Sequence, residues 1–292
     1  MWTTIAKHIS EITGEKFLGE NRRSVGGGCI NQGYVISDSR SDRSYFVKIN
    51  QADQVDMFAA EALGLKEMWS TKTIRVPEPI CYGTANNSAY IVQEYLELGR
   101  NGGNNAWLEM GQKLAAMHKA TSNQGFGWER NNTIGSTPQI NTWKSDWAEF
   151  FAEHRISYQL KLAKRRGGQF SQGESLVKAI PELLANHHPQ PSLVHGDLWS
   201  GNASVTAASE PVIFDPATYY GDREVDLAMT ELFGRFPGSF YQGYNAIWPL
   251  DSGYELRKTL YNLYHIINHF NLFGGSYESQ ANRMISQLLS KV

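Results

Sequence analysis

The sequence predicts an α+β protein of two lobes, a small N-terminal antiparallel β lobe with one helix followed by a larger, mainly helical C-terminal lobe. Three observations lead there. Short runs rich in Val, Ile, Tyr and Phe, separated by glycine-rich and polar turns, are concentrated in the first third of the chain. From about Gly111 onward, stretches with apolar residues three and four apart dominate. The length of 292 residues exceeds what one ordinary domain needs, yet no internal repeat, low-complexity tract or long linker divides it. We therefore place one lobe at 1–93, the other at 94–292 and a hinge at about 94–98, with a cleft between the lobes.

The elements follow in order. "TTIAKHISEITG" has Ile5, Ile9 and Ile12 at helical spacing and Gly14 as a stop. "VGGGCINQGYVISDSRSDRSYFVKIN" reads as strand, glycine turn, strand, a polar hairpin tip around Ser39 to Arg43, and a further strand "SYFVKIN". "VDMFAAEALGLKEMWS" reads as a helix, and "VPEPICYGTANNSAYIVQEYL" as two strands around an "ANN" turn. Four helical stretches follow: "WLEMGQKLAAMHKAT", "TWKSDWAEFFAEHRISYQLKLAKRRG", "GESLVKAIPELLANH" and "ELRKTLYNLYHIINHFNLFG". Between the last two, "SLV" is a short apolar run, "HGD" a turn, and "NASV" leads toward the strand "PVIFDPA".

Composition narrows the function classes. Hydrophobic residues at 41% and charged residues at 19% are those of a folded protein, not a disordered one. A net charge of -2 points away from a nucleic-acid backbone or an anionic membrane as the main partner. The opening "MWTTIAKHISEITGEKF" lacks the apolar core of a signal peptide, and no stretch approaches the length of a transmembrane helix. Two cysteines, Cys29 and Cys81, are too few for a secreted disulfide scaffold, so a cytoplasmic location is expected.

The chemistry concentrates in "LVHGDLWSGN". Asp197 and Asn202 are five residues apart, the Asp-to-Asn interval of the protein-kinase catalytic loop. Phosphoryl transfer to an alcohol needs a carboxylate that orients the hydroxyl and accepts its proton, and an amide oxygen a few residues on that helps hold a metal ion. Asp215 follows at the end of the apolar run "VIF", where a second, metal-binding carboxylate is expected. A turn or cap would account for the Asp–Asn pair alone. The same template asks for a strand lysine and a helix glutamate upstream. Lys48 in "YFVKIN" and Glu61 in "MFAAEALGLK" stand in that order, although an exposed strand Lys and a surface Glu would read the same. The glycine loop "SVGGGCINQG" precedes them; Gly26, Gly27, Gly28 and Cys29 could let backbone amides approach phosphate oxygens, or simply form a hairpin turn. It is not a Walker A loop, and Asn31 stands at the third kinase glycine position. In "YIVQEYLEL", backbone groups of Glu94, Tyr95 and Leu96 could bond an adenine edge.

With these residues in place, the chain resembles the fructosamine kinase (ketosamine-3-kinase) family, a branch of the aminoglycoside-phosphotransferase-like, protein-kinase-like fold. The similarity runs nearly end to end through "GGGCINQGY", "PQINTWKSDWAEFFAEHRI", "HGDLWSGN", "FDPATYYGDREVDLAM" and "YNLYHIINHFNLFG". The Trp after HGDL and the DPA in place of DFG are particular to this branch. The resemblance implies ATP- and Mg²⁺-dependent phosphorylation of the C3 hydroxyl of a ketosamine, small or protein-bound, leading to deglycation. It implies Asp197 as base, Asn202 and Asp215 as metal ligands, and Lys48 with Glu61 as phosphate clamp. Pentose or tetrose adducts (ribulosamine, erythrulosamine) are expected ahead of fructosamine. An aminoglycoside-, choline- or other sugar-directed phosphotransferase of the same fold is the alternative.

The remaining signals receive plainer expectations. His265 and His269 are four apart, but no Glu makes the HExxH motif, so they read as structural. His187 and His188 read as loop residues, and His195 as a brace for the catalytic turn. Trp199 could line an acceptor pocket, while Trp143 and Trp147 read as neighbours on one helix face. The run from Asp222 to Asp226 reads as a solvated loop, or else Arg223 and Asp226 fix the catalytic loop from behind. Cys29, within the glycine loop, is expected to be a redox-sensitive thiol able to join two copies, so the chain is expected as a monomer or a redox-dependent homodimer.

Overall fold

A computed structural model describes residues 1–26, 30–39, 41–99 and 102–292 of the chain. Its first part is a five-stranded antiparallel sheet in the order β1-β2-β3-β5-β4. The strands are β1 (Asn21–Val25), β2 (Gln32–Ser37), β3 (Ser44–Gln51), β4 (Pro79–Ala85) and β5 (Ser88–Glu94). Helix α1 (Trp2–Thr13) ends at Gly14, whose φ of 73° is the left-handed stop a glycine allows. It lays Ile5, Ala6 and Ile9 on one sheet face, against Val47, Ile49, Tyr90 and Val92. Because side chains alternate along a strand, Lys48 must leave β3 on the other face. There α2 (Val55–Ser70) packs Phe58 and Ala62 onto Ala89 and Ile91.

The remainder is mainly helical, with α3 (Gly103–Met117), α6 (Gly173–Leu183), α7 (Glu224–Met229), α8 (Gly238–Ile247), α9 (Tyr254–Phe273) and α10 (Tyr277–Leu289). Three short ribbons are set among these helices: β6 (Asn132–Ile134) with β7 (Thr137–Gln139), β8 (Ser192–Val194) with β11 (Tyr219–Gly221), and β9 (Ala203–Val205) with β10 (Pro211–Ile213). "HGDLWSGN" connects β8 to β9, and Asp215 lies between β10 and β11. Both candidate catalytic segments are therefore short loops pinned at each end. No helix among the described residues is long and apolar enough to cross a membrane.

Two expectations change. The long helix read from Thr142 starts only at Trp147, because the Asp146 side chain accepts the Glu149 N–H at 2.7 Å and caps it there. It runs through α4 (Trp147–Phe150), a π-helical stretch (Phe151–Ser157) and α5 (Tyr158–Arg165). Trp143 precedes the helix and tilts onto Tyr220 at 6.1 Å, so it shares no face with Trp147, which is buried against Phe150, Phe151 and Tyr261. The run Asp222–Asp226 is no solvated loop: all five residues are buried and it enters α7.

Helices α3 and α8 cross with almost no space between them. A Cβ at Gly111 would lie 2.0 Å from the Phe240 carbonyl oxygen, and one at Gly243 would lie 1.9 Å from that of Leu108. Gly111→Ala and Gly243→Ala should each force the helices apart and destabilise the fold by about 1–3 kcal/mol. Thermal unfolding followed by circular dichroism checks this, and an unchanged midpoint in both would rule out the tight crossing.

Candidate active site

The site forms where the sheet meets the helical lobe. From β3, Lys48 reaches out with its Nζ between Glu61 Oε1 of α2, at 2.6 Å, and Asp215 Oδ1 from the loop after β10. Gln93 on β5 also donates to Glu61 Oε1, at 2.6 Å. Burial opposes the charge of Lys48, but Asp215 and Glu61 outweigh it and hold the ammonium above its ordinary pKa. Of the two readings open for Lys48 and Glu61, the buried ion pair is the one realised.

The HGD turn is organised by a carboxylate behind it. Asp226 accepts the backbone N–H groups of His195 (Oδ2, 2.7 Å) and Gly196 (Oδ1, 2.8 Å), and Oδ2 also meets His118 Nε2 at 3.0 Å. Burial opposes ionisation of Asp226, yet these partners bring its pKa below the usual carboxylate value. His195 is fully used in bracing: its Nδ1 accepts the Asp197 N–H at 3.2 Å and its Nε2–H donates to the Phe214 carbonyl at 2.9 Å. That pattern requires the neutral ring, and burial lowers its pKa accordingly. Gly196 has φ 81°, and a Cβ there would lie 2.2 Å from the Ala217 oxygen, so the turn admits only glycine.

Asp197 and Asn202 face each other as their interval suggests. Asn202 Nδ2 donates to the Asp197 carbonyl at 2.9 Å and to Asp197 Oδ2 at 3.2 Å, and it lies 3.5 Å from the Asp215 carbonyl. With its nitrogen turned to Asp197, the Asn202 amide oxygen remains as an acceptor. Burial and then repulsion from Asp215 push the Asp197 pKa up to about 7. Asp215 itself is exposed and has φ 58°, a left-handed conformation that costs a non-glycine residue about 1–2 kcal/mol. Bonds on both sides hold it: Phe214 N–H to the Asn202 carbonyl (3.0 Å), Ala217 N–H to the His195 carbonyl (2.9 Å), Gln139 Nε2 to the Ala217 carbonyl (3.0 Å) and Asn132 Nδ2 to the Thr218 carbonyl (2.8 Å).

The other candidates fall as follows. Trp199 is 38% exposed, and its ring lies over Gly201, where a Cβ would come within 2.3 Å of it. Gly26 is exposed with open space about its Cα, whereas Gly27, Gly28 and Cys29 lie outside the described residues, and with them the expected redox thiol. At the expected hinge the Glu94 N–H is already given to the Glu78 carbonyl at 2.8 Å and the Glu94 side chain pairs with Arg75, so that amide is not free for an adenine edge. Arg223 does not reach the catalytic loop; it donates to Tyr244, to the Trp248 carbonyl and to the Pro249 carbonyl, which leaves Asp226 alone in the bracing role. His187 is more than a loop residue, since it meets the buried Asp222 at 2.6 Å. His269 Nδ1–H donates to the His265 carbonyl at 2.8 Å and burial takes His265 down to about 3, so these two are structural, as expected.

His187, Asp222 and Glu224 also bring ligand-type atoms within 4.8 Å of one another. Both Glu224 oxygens are bonded to Arg257 (2.6 and 2.9 Å), and Asp222 accepts from Tyr261, so this is a satisfied structural network. Sequence reasoning missed His118, Gln93 and Glu67. Only tertiary contact gives these three a role, and nothing in their local pattern marks them.

The chain is similar to known proteins along nearly its whole length. A family model described as fructosamine kinase matches residues 1–291. A probable ketoamine kinase of Synechocystis sp. is 58% identical over 99% of this chain and 97% of its own length. A chloroplastic protein-ribulosamine 3-kinase of Arabidopsis thaliana is 48% identical over 91% of this chain and 82% of its own. The crystal structure of a candidate fructosamine-3-kinase from Haemophilus somnus superposes with a TM-score of 0.92 at 32% identity, covering 99% of this chain and 98% of that one. An aminoglycoside phosphotransferase in ternary complex with ADP and hygromycin B shares the fold, with a TM-score of 0.63 at 16% identity over 99% and 98% of the two chains.

The bracing by Asp226 can be tested directly. In Asp226→Asn an amide N–H₂ must face a backbone N–H, which should cost about 1–3 kcal/mol of stability. Amide exchange at His195 and Gly196 should quicken more than in the β3 strand, and equal protection in both proteins would exclude the role given to Asp226.

Proposed function

The chain belongs to the fructosamine kinase family and is an ATP-dependent phosphotransferase, and from that premise we propose that it phosphorylates the C3 hydroxyl of ketosamines through the residues gathered above. The observation that carries the assignment of roles is the convergence of residues the chain keeps far apart: Lys48 and Glu61 meet Asp215, whose carbonyl lies 3.5 Å from the Asn202 Nδ2 that bonds Asp197. In this reading the sheet lobe (1–93) receives the nucleotide, the helical lobe (94–292) receives the acceptor, and 94–98 is the hinge. Gly26 to Cys29 and the backbone of Tyr95 and Leu96 belong to the nucleotide side, and Trp199 to the acceptor side. Cytoplasmic location remains part of the proposal.

Asp197 is the proton acceptor. Both ring nitrogens of His195 are already committed, so the neighbouring histidine cannot take the proton in its place. Asp197 orients the C3 hydroxyl in line with the γ-phosphate and takes its proton as the new P–O bond forms and the bond from the γ-phosphorus to the β–γ bridging oxygen breaks, with ADP leaving. Lys48, held rigid between two carboxylates, offers its ammonium to the nucleotide phosphates without first having to be ordered. Mg²⁺ fits the residues present: the Asn202 oxygen and the exposed Asp215 carboxylate are oxygen donors of the kind it prefers, and the repulsion between Asp197 and Asp215 is one that a further cation would relieve. When bound there it would neutralise charge developing on the phosphates. The phosphorylated product carries a good leaving group at C3, next to the C2 carbonyl; elimination expels it as inorganic phosphate and leaves an imine at C1, which water hydrolyses to the free amine and a 3-deoxyosone. The name of the Arabidopsis relative supports ribulosamines as acceptors ahead of fructosamines.

Phosphate transfer from ATP and Mg²⁺ to a small ribulosamine and a fructosamine, beside an aminoglycoside and choline, tests the acceptor. Transfer to a ketosamine is expected; transfer to the other acceptors alone would overturn the assignment. Asp197→Asn should lower kcat by roughly 10²- to 10⁴-fold while ATP still binds.

The pH profile supplies a second test. A base must be ionised, so kcat/KM should fall as pH drops through about 7, the value to which burial and Asp215 raise Asp197. Positive charge at Asp215 favours the ionised form, so the acid limb should move to lower pH as Mg²⁺ is raised. An acid limb that stays fixed at every Mg²⁺ concentration would remove Asp197 from this role.

A further inference from the structure

In protein kinases, pairing of the strand lysine with the helix glutamate depends on where that helix sits, and its position is a point of control. Here α2 leaves the sheet lobe and is fastened to the helical lobe along its length. Glu61, Gly64 and Glu67 follow one another at three-residue steps and so share one side of the helix. Glu61 meets Lys48. Gly64 is pressed so close to Thr218 that a Cβ would lie 2.8 Å from its Oγ1. Glu67, the last of the three, accepts the Trp128 indole N–H at 2.7 Å (Oε2) and the Tyr220 hydroxyl at 2.6 Å (Oε1).

The two donors are not brought together by chance packing. Gly127 and Tyr220 exchange backbone hydrogen bonds, Gly127 N–H to the Tyr220 carbonyl at 2.9 Å and the reverse at 2.8 Å. That bridge sets the Trp128 and Tyr220 side chains so that one carboxylate receives both. Tyr220 follows Asp215 on the same short segment, at the middle of β11. The apolar side chains of α2 also cross the lobe boundary: Ala60 packs with Phe126 and Trp128, and Leu65 and Met68 pack with Leu114, Leu193, Leu198 and Ile213. The sheet therefore contributes the lysine, while the helical lobe fixes the position of the glutamate that meets it.

We propose that Glu67 is a positioning residue for the phosphotransfer: by binding Trp128 and Tyr220 it locks α2 against the helical lobe and so holds Glu61 on Lys48. The position of α2 is then set by the helical lobe itself and not by a separate activating step. This inference rests on the reading of Lys48 and Glu61 as the phosphate clamp.

The test is a double-mutant cycle on full-length enzyme, pairing Tyr220→Phe, and separately Glu67→Gln, with Glu61→Gln. Tyr220→Phe removes one hydroxyl and keeps the ring, so it preserves packing even if Glu67→Gln folds poorly. Each should lower kcat/KM for ATP by roughly 5- to 30-fold, a range typical of coupled groups in one network. KM for the ketosamine should hold steady, and in the Glu61→Gln background either change should add less than about twofold. Losses that multiply independently in the two backgrounds, or a lowered melting temperature with unchanged ATP kinetics, would show that Glu67 only stabilises the fold and would overturn the proposal. If Glu61→Gln alone left ATP kinetics intact, the clamp itself would fall and this inference with it.

Discussion

One ammonium between two carboxylates holds the site together. Lys48 comes from the central strand of the sheet, Glu61 from the helix on that sheet, and Asp215 from a loop of the helical lobe. A buried charge is tolerated only when it is paired, and removing one partner of such a pair costs about 3–5 kcal/mol because the other charge is stranded. The pairing therefore ties strand, helix and loop together at one point, in addition to the packing that already fastens α2 to both lobes. It also explains why Gln93 is spent on Glu61: the carboxylate needs every donor within reach to remain ionised in a buried position.

The helical lobe must in turn hold Asp215 in a left-handed conformation, and it does so with a polar scaffold. Gln139 and Asn132 from the β6–β7 ribbon fix the carbonyls just after it, and His195 fixes the one just before it. The same His195 positions the Asp197 amide, so one neutral ring sets the distance between the two aspartates. Asp226 completes the arrangement by holding the backbone on which His195 sits. Strain at Asp215 is thus countered by several ordinary hydrogen bonds spread over distant parts of the chain.

Much of this was legible in the sequence because it follows local periodicities. Strand alternation puts Lys48 on the face opposite α1, and the intervals from Asp197 to Asn202 and Asp215 match a chemical template. The helices α1, α3, α6 and α9 follow their apolar spacing. Other features were hidden for identifiable reasons. A run such as Asp222–Asp226 has the composition of a solvated surface, and only partners remote in the sequence, with His118 lying 108 residues from Asp226, make its burial tolerable. No helix is expected from the sequence at 238–247, where α8 carries Gly243, a residue required only by the close crossing with α3. Trp143 stands at a helical interval from Trp147 but on the far side of the Asp146 cap, and spacing alone cannot detect that boundary.

The charge balance around Asp197 bears on when it could act as the proposed base. Asp197 and Asp215 repel each other, and Lys48 is already shared between Asp215 and Glu61, so little of its charge is left to relieve Asp197. Burial and the repulsion from Asp215 therefore hold the Asp197 pKa up to about 7. In the proposed mechanism, a nucleotide that brought Mg²⁺ to Asp215 would add positive charge there and favour loss of the Asp197 proton. Asp197 would then be ionised, and ready to accept a proton, chiefly when the phosphoryl donor is in place. A basic residue at the position of Asn202 would relieve the repulsion permanently and lose this dependence; a neutral amide that offers its nitrogen to Asp197 and keeps its oxygen as an acceptor preserves it.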